Sequence, residues 1–369
     1  MMATLGNVCH FLNGGTPSKE VSSYFEGDIP WITSADIVGP IAGAARSFIT
    51  EEAIKKSATN KVTTGAVLLV TRTGVGKVAI AGRDLCFSQD ITALIPDSAK
   101  LDGGYLVQYL RTKQTHFERR ARGATIKGIT RDVVADLTIP LPPIPEQIRI
   151  AAILDKADSL RVKRREALAQ LDNLTQSIFI EMFGDPATNP RGWGIEPFGD
   201  ICENQDAQRI PVKSSDRDGW QGAFPYYGAS GIIDWVDDYI YEGERLLIGE
   251  DGANLLARAT PVAYIAQGKY WVNNHAHVVA YSGRANLRFL EFFIEQTDLK
   301  PYISGSAQPK LNRSNLDRIP VMLPPLEMQH EFANRIALVE KLKTSHRTSL
   351  TELDALFTSL QHRAFRGEL

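Results

Sequence analysis

No apolar stretch in the 369 residues approaches the roughly 18 that a membrane-spanning helix needs, so a membrane is not expected among the partners. Met1-Met2-Ala3-Thr4-Leu5-Gly6 lacks the basic patch and apolar run of a signal peptide. Cysteine is scarce: Cys9, Cys86 and Cys202 lie far apart and are odd in number. That argues against a disulfide framework or a cysteine-cluster zinc site and fits a reducing cytoplasm. A net charge of −2 offers no global basic excess, so DNA binding must come from local clusters or from a partner that adds positive charge.

Catalytic motifs are missing as well. Gly74-Val75-Gly76-Lys77 lacks the glycine spacing of a phosphate loop, and Val78 stands where Ser or Thr would hold the metal, so the segment reads as a hairpin turn. His275-Ala276-His277 places two imidazoles at alternate positions of a strand, but no carboxylate or Cys pair at ligand spacing supports a metal site. Neither a nucleophile elbow, a zincin helix, an adenine-methyltransferase loop nor a nuclease signature occurs. Two targeting modules without chemistry suggest a subunit. The reading as a stand-alone enzyme rests only on His275/His277 and the Gly74–Lys77 turn.

What the chain does have is apolar material for two or three domains, at 43% hydrophobic, and an internal repeat. From Gly123/Gly305 to Phe183/Phe365 the chain matches itself without gaps at an offset of 182, through Arg131/Arg313, Gln147/Gln329, Leu160/Leu342, Leu171/Leu353 and Asp172/Asp354. Upstream the echo is weaker: Leu5–Cys9 resembles Phe198–Cys202, and Gly27–Trp31 resembles Gly222–Tyr226. Each repeat therefore reads as a variable globular part with a better-matched tail, which suggests similar jobs on different targets.

The tails are predicted helices. Glu146–Phe183 and Glu327–Phe365 contain no Pro or Gly, follow prolines, and precede Gly184 and Gly367. Each would be roughly 55 Å long. Ile150, Ile153, Ala157, Leu160, Ala167, Leu171, Leu174 and Ile178 recur at a/d spacing, with Phe332, Val339, Leu342, Leu353, Leu356 and Leu360 in the second tail. Packing on the nearest globular part is one reading. The length and the seam favour helix–helix pairing, and polar interruptions at Arg164 and Glu181 suggest a further partner over part of it.

In the globular parts, Ala66–Val70 and Lys77–Ile80 read as strands around a turn, Leu106–Arg122 as a helix, and Arg245–Ile248 and Ala276–Ala280 as strands. Both parts are read as α+β. Between residues 111 and 131 seven cations face one acid, a net of +6, while Lys300, Lys310, Arg313 and Arg318 form a milder cluster offset by Asp298 and Asp317. Such runs often form only a solvated helix face, but here each precedes a tail in a turn-rich loop. Phosphate contacts there would position the protein, and Asn254, Asn273, Asn274, His275 and Gln308 suit base-edge hydrogen bonds. Eight of the 11 tyrosines lie between Tyr226 and Tyr302, where core packing explains most of them.

Several segments resemble the specificity subunit of type I restriction-modification systems. They are Gly27-Asp28-Ile29-Pro30-Trp31-Ile32, Ile139–Gln147 around Leu141-Pro142-Pro143, Ile178–Pro186, Pro225–Gly231, Asn274–His277 and Ala364–Leu369, in family order along the whole chain. The resemblance implies an α+β protein with two α/β-type target recognition domains joined by two long helices in an antiparallel coiled coil, a pseudo-two-fold repeat. The domains would be 1–143 and 185–325, with a central helix at 144–184 and a distal helix at 326–369. Each domain would read one half of an asymmetric split target on double-stranded DNA. The helices would act as spacer and dock two methyltransferase subunits, with restriction subunits completing the nuclease.

The chain itself would be non-catalytic, without cofactor or metal. S-adenosylmethionine, ATP and Mg would belong to the partner subunits, and the complex would be cytoplasmic. A related role in a type IIB-like or other defence complex stays open. Candidate DNA contacts are then Arg72, Lys77, Arg122, Lys127 and Arg131 in the first domain. In the second they are Tyr227, Asn254, Arg258, Asn274, His275, Lys310 and Arg313. Candidate helix or subunit contacts are Ile153, Leu160, Leu171, Leu174, Ile178, Leu342, Leu353 and Leu356.

Overall fold

A computed structural model describes residues 1–123, 125–305 and 308–369. It forms two compact units, Met1–Arg165 with Thr348–Leu369, and Glu166–Arg347. The division runs through the middle of each long helix, whereas the sequence reading divides the chain where the helices begin and end.

In the first unit, Cys9–Asn13, Ile91–Pro96, Val67–Val70, Val78–Ala81 and Ile41–Ala42 form a five-stranded sheet in that order. A second sheet runs Ser47–Ile49, Ile29–Ile32, Leu85–Phe87, Lys61–Val62. Val67–Val70 and Val78–Ala81 are antiparallel, as the turn between them predicted. The expected helix over Leu106–Arg122 is instead two, Gly103–Arg111 and Gln114–Arg120. The break falls at Thr112, whose hydroxyl donates to the Tyr109 carbonyl at 2.7 Å and so competes with the helical backbone.

In the second unit, Cys202–Asn204, Ala276–Tyr281, Arg245–Gly249 and Ala263–Ala266 form one sheet, and Gly231–Val236, Gln221–Gly228, Lys269–Val272 and Tyr241–Glu242 another. The helix Leu287–Gln296 covers the first of these, burying Phe289, Leu290, Phe293 and Ile294. Each unit also carries a two-stranded ribbon that brings the chain back before its long helix, Met2–Thr4 with Thr138–Pro140 and Gly194–Pro197 with Pro320–Leu323.

The long helices are Ile144–Phe183 and Leu326–Ala364. Both stop before a glycine with positive φ, Gly184 at +85° and Gly367 at +76°, the left-handed turn that ends a helix without strain. Within each unit the helix segments pack antiparallel. Arg149 donates to the Leu369 carbonyl at 2.8 Å and Arg161 to Asp354 at 2.5 Å in the first unit. In the second, Lys343 pairs with Asp172 at 2.9 Å, and the Phe179 and Phe332 rings meet at 5.5 Å.

The inward stripe differs in phase from the one expected. It follows Gln147, Ile150, Leu154, Ala157, Arg161, Arg164, Leu168, Leu171, Thr175, Ile178 and Met182, all buried or half-buried, and recurs 182 residues on as Gln329 through Ala364. Among the contacts expected from sequence, Leu171, Ile178 and Leu353 belong to this stripe, and Ile153 is half-buried beside it. Leu160 and Leu174 do not: they are 43% and 45% exposed, and their counterparts Leu342 and Leu356 are 52% and 50% exposed. The reason is polar seam positions. Arg161 bonds Asp158 and Asp354 and lies 4.3 Å over the Phe357 ring. Its repeat Lys343, 6% exposed, bonds Glu340 at 2.8 Å and Asp172. Saturated in this way, the charges occupy the seam and turn the neighbouring leucines outward.

Candidate nucleic-acid interface

In each unit the loop ahead of the long helix is closed into a ring by its own backbone. Arg122 and Gly128 exchange hydrogen bonds at 2.9 Å in both directions, and Ser304 and Lys310 do so at 2.8 Å, again at an offset of 182. Gly123 and Gly305 begin these rings at φ +137° and +85°, and a Cβ there would lie 2.1 Å from the Ile126 carbonyl oxygen or 2.5 Å from that of Gln308. Only glycine fits. Each ring is sewn to a strand end of the main sheet: the Ile129 amide donates to Thr71 at 2.9 Å, and the Leu311 amide to Glu250 at 2.8 Å. A further turn joins from the next strand, Thr71 donating to Asp90 and Glu250 to His275, both at 2.8 Å.

The first unit therefore gathers Arg72, Arg122 and Lys127 on adjoining exposed loops, Arg72 being bridged to Gly128. Among the described residues none of the three has a carboxylate partner within salt-bridge distance. Lys77 is exposed but lines a different groove, beside Pro40, Arg111 and Asp158. Arg131 opens a short helix with its guanidinium 5.1 Å from the Phe11 ring.

The second unit is furnished differently. Asn274 and His275 are exposed at the turn before Ala276–Tyr281, and His275 Nδ1 lies 2.9 Å from Asp251. Lys310 sits alongside but already pairs with Glu250 at 3.2 Å, and Arg313 lies 3.5 Å from Asp317. Three expected contacts are committed elsewhere. The Asn254 amide both donates to and accepts from the Thr260 backbone, at 2.9 and 3.0 Å. Arg258 closes the end of Leu287–Gln296 by donating to the Thr297 carbonyl at 2.7 Å. Tyr227 packs among Tyr264 and Tyr270, half-buried. Short polar and cationic side chains in turns look alike in sequence whether they face outward or cap a neighbouring element.

His277 is fully buried, unlike the exposed His275. Its Nε2 faces the Leu311 carbonyl at 2.7 Å and its Nδ1 faces Asp206 at 2.6 Å, with Glu250 at 3.8 Å. These side chains converge closely enough to ligate a metal, yet the space is spanned by hydrogen bonds and by Arg209, 2.7 Å from Glu250. Burial alone would raise both carboxyls. Hydrogen bonds from His277 and the Val278 amide hold Asp206 below the usual carboxylate value, and Arg209, His277 and Lys310 do the same for Glu250. Sequence reasoning missed this network because Asp206 lies 71 residues from His277.

The family model for the type I restriction modification DNA specificity domain matches residues 1–171 and 190–355. The chain belongs to that family. An alignment of 397 positions, 23% identical and covering 96% of this chain and 90% of the relative, relates it to the MjaIX type I restriction enzyme specificity subunit of Methanocaldococcus jannaschii. A shorter match, 39% identical over 137 residues, spans 37% of this chain and 34% of a Haemophilus influenzae relative named for the same kind of subunit. Among solved structures, the S subunit of a type I restriction-modification system from M. genitalium aligns with a TM-score of 0.66 at 16% identity, covering 99% of this chain and 96% of that one. At that identity the likeness is one of fold. The looped ends of the two units carry different side chains, while the helix segments repeat at an offset of 182.

Proposed function

We propose that this chain is the non-catalytic DNA-recognition subunit of a type I restriction-modification complex, each unit reading one half of an asymmetric split target. The observation that carries the reading is the paired ring loops: the same backbone closure at an offset of 182, flanked in one unit by cations that have no carboxylate partner among the described residues and in the other by a His–Asp–Asn group on adjoining turns. Like closures flanked by different side chains suit two different half-sites. Arg72, Arg122 and Lys127 would contact phosphates, and Asn274 and His275 would face base edges.

The outward leucines come in two equivalent pairs, Leu160/Leu342 and Leu174/Leu356, which suits two copies of one partner. We assign them to docking of two methyltransferase subunits, which would hold S-adenosylmethionine. Restriction subunits with ATP and Mg would complete the complex in the cytoplasm. Expression of the chain with a cognate methyltransferase in a methylation-free host, followed by a methylome, tests this. A split adenine-methylation motif seen only when both are present supports the reading, and a stable complex that methylates nothing new contradicts it.

A further inference from the structure

The rest of the His277 network points beyond target reading itself to how one reading loop is held. The ring is enclosed by acceptors: the Leu311 carbonyl can only accept, and Asp206 faces the other nitrogen as a carboxylate. A hydrogen on Nε2 can be donated to the Leu311 carbonyl, while Asp206 orients the ring from its Nδ1 side. Leu311 is the residue at which the Ser304–Lys310 ring re-enters the fold, and its amide is held by Glu250. Asp206 also accepts from the Val278 amide at 2.8 Å, Arg209 bonds the Ala276 carbonyl at 2.8 Å and Glu250, and Glu250 accepts from Lys310. The charged groups around the imidazole, Asp206, Glu250, Arg209 and Lys310, thus connect the ring to three backbone segments.

Among the described residues the first unit has no such device. Matching the strand registers places Thr92 where His277 stands and Thr71 where Glu250 stands, both buried hydroxyl residues.

We infer that His277, with Asp206, is a positioning residue that sets the second unit's recognition loop through the Leu311 carbonyl, so that reading of the second half-site alone depends on this buried imidazole. The inference rests on the proposed recognition function.

The test uses the assembled complex with its methyltransferase, and duplexes altered in one half of the methylome-defined target. His277→Leu should lower second-half discrimination about tenfold or more, as loss of a charge-assisted hydrogen bond requires, and leave the first half unchanged. His277→Gln, whose side-chain amide can still donate to the Leu311 carbonyl, should recover much of the discrimination, and it stands as the test if His277→Leu fails to fold. Full second-half discrimination by His277→Leu, or no better discrimination by His277→Gln than by His277→Leu, would overturn the inference. Failure of the wild-type complex to recognise any split target would instead sink the recognition reading, before any variant is made.

Discussion

Gln147 and Gln329 show how much one side chain can hold. Gln147 accepts from the Asp102 amide at 2.9 Å and donates to the Pro142 carbonyl at 2.8 Å; Gln329 accepts from the Asn286 amide and donates to the Pro324 carbonyl, both at 2.8 Å. Asp102 and Asn286 in turn cap Gly103–Arg111 and Leu287–Gln296, so each glutamine ties a long helix to a helix of its own globular part. Gln329→Ala would leave buried backbone groups unpaired, and a loss of about 1–3 kcal/mol in the second unit is expected by denaturant titration. Glu291 gives a pH signature: burial pushes its carboxyl up to about 7 despite Arg288 at 3.0 Å. Between the ordinary value of 4.5 and 7 the folded chain keeps a proton that the unfolded chain has released, so stability falls as pH rises through that window. Glu291→Gln should flatten this dependence and raise stability at pH 8 by about 1–3 kcal/mol. An unchanged melting profile across pH 5 to 8 would contradict it.

At the scale of elements, the long helices were legible because Pro and Gly are absent between their ends and because the repeat runs without gaps. The phase of the seam was not. Arg161, Arg164, Thr175, Lys343 and His346 occupy inward positions, so apolar periodicity alone points one residue aside, to Leu160 and Leu174. The ring loops were legible as matched turns around Gly123 and Gly305. Their side-chain partners, drawn from strands and helices far along the chain, were not. The outward leucines yield a direct prediction: Leu160→Asp with Leu342→Asp should abolish co-purification with the methyltransferase while changing stability by less than about 0.5 kcal/mol, as expected at exposed positions. Retained binding would return these residues to a purely solvent-facing role. Pro at Leu171 should also uncouple assembly, by removing a backbone donor and clashing with the preceding turn.

For the whole molecule, the net charge of −2 conceals an uneven distribution. Among the described residues Arg72, Arg122 and Lys127 of the first unit have no carboxylate within 4 Å, whereas Lys310, Arg258 and Arg313 of the second do. Salt dependence of DNA binding should therefore be set mainly by the first unit. Arg122→Glu with Lys127→Glu should flatten the log–log salt slope by about two units, and Lys310→Glu by much less. An equal effect from both units would contradict the division. The most direct test of the central claim, that two separate units each read one half of a split target, is a methylome after exchanging residues 185–325 for those of a relative with a different target. The account predicts a motif changed in one half, with the other half and the spacing retained. A motif changed in both halves, or one not changed at all, would contradict it.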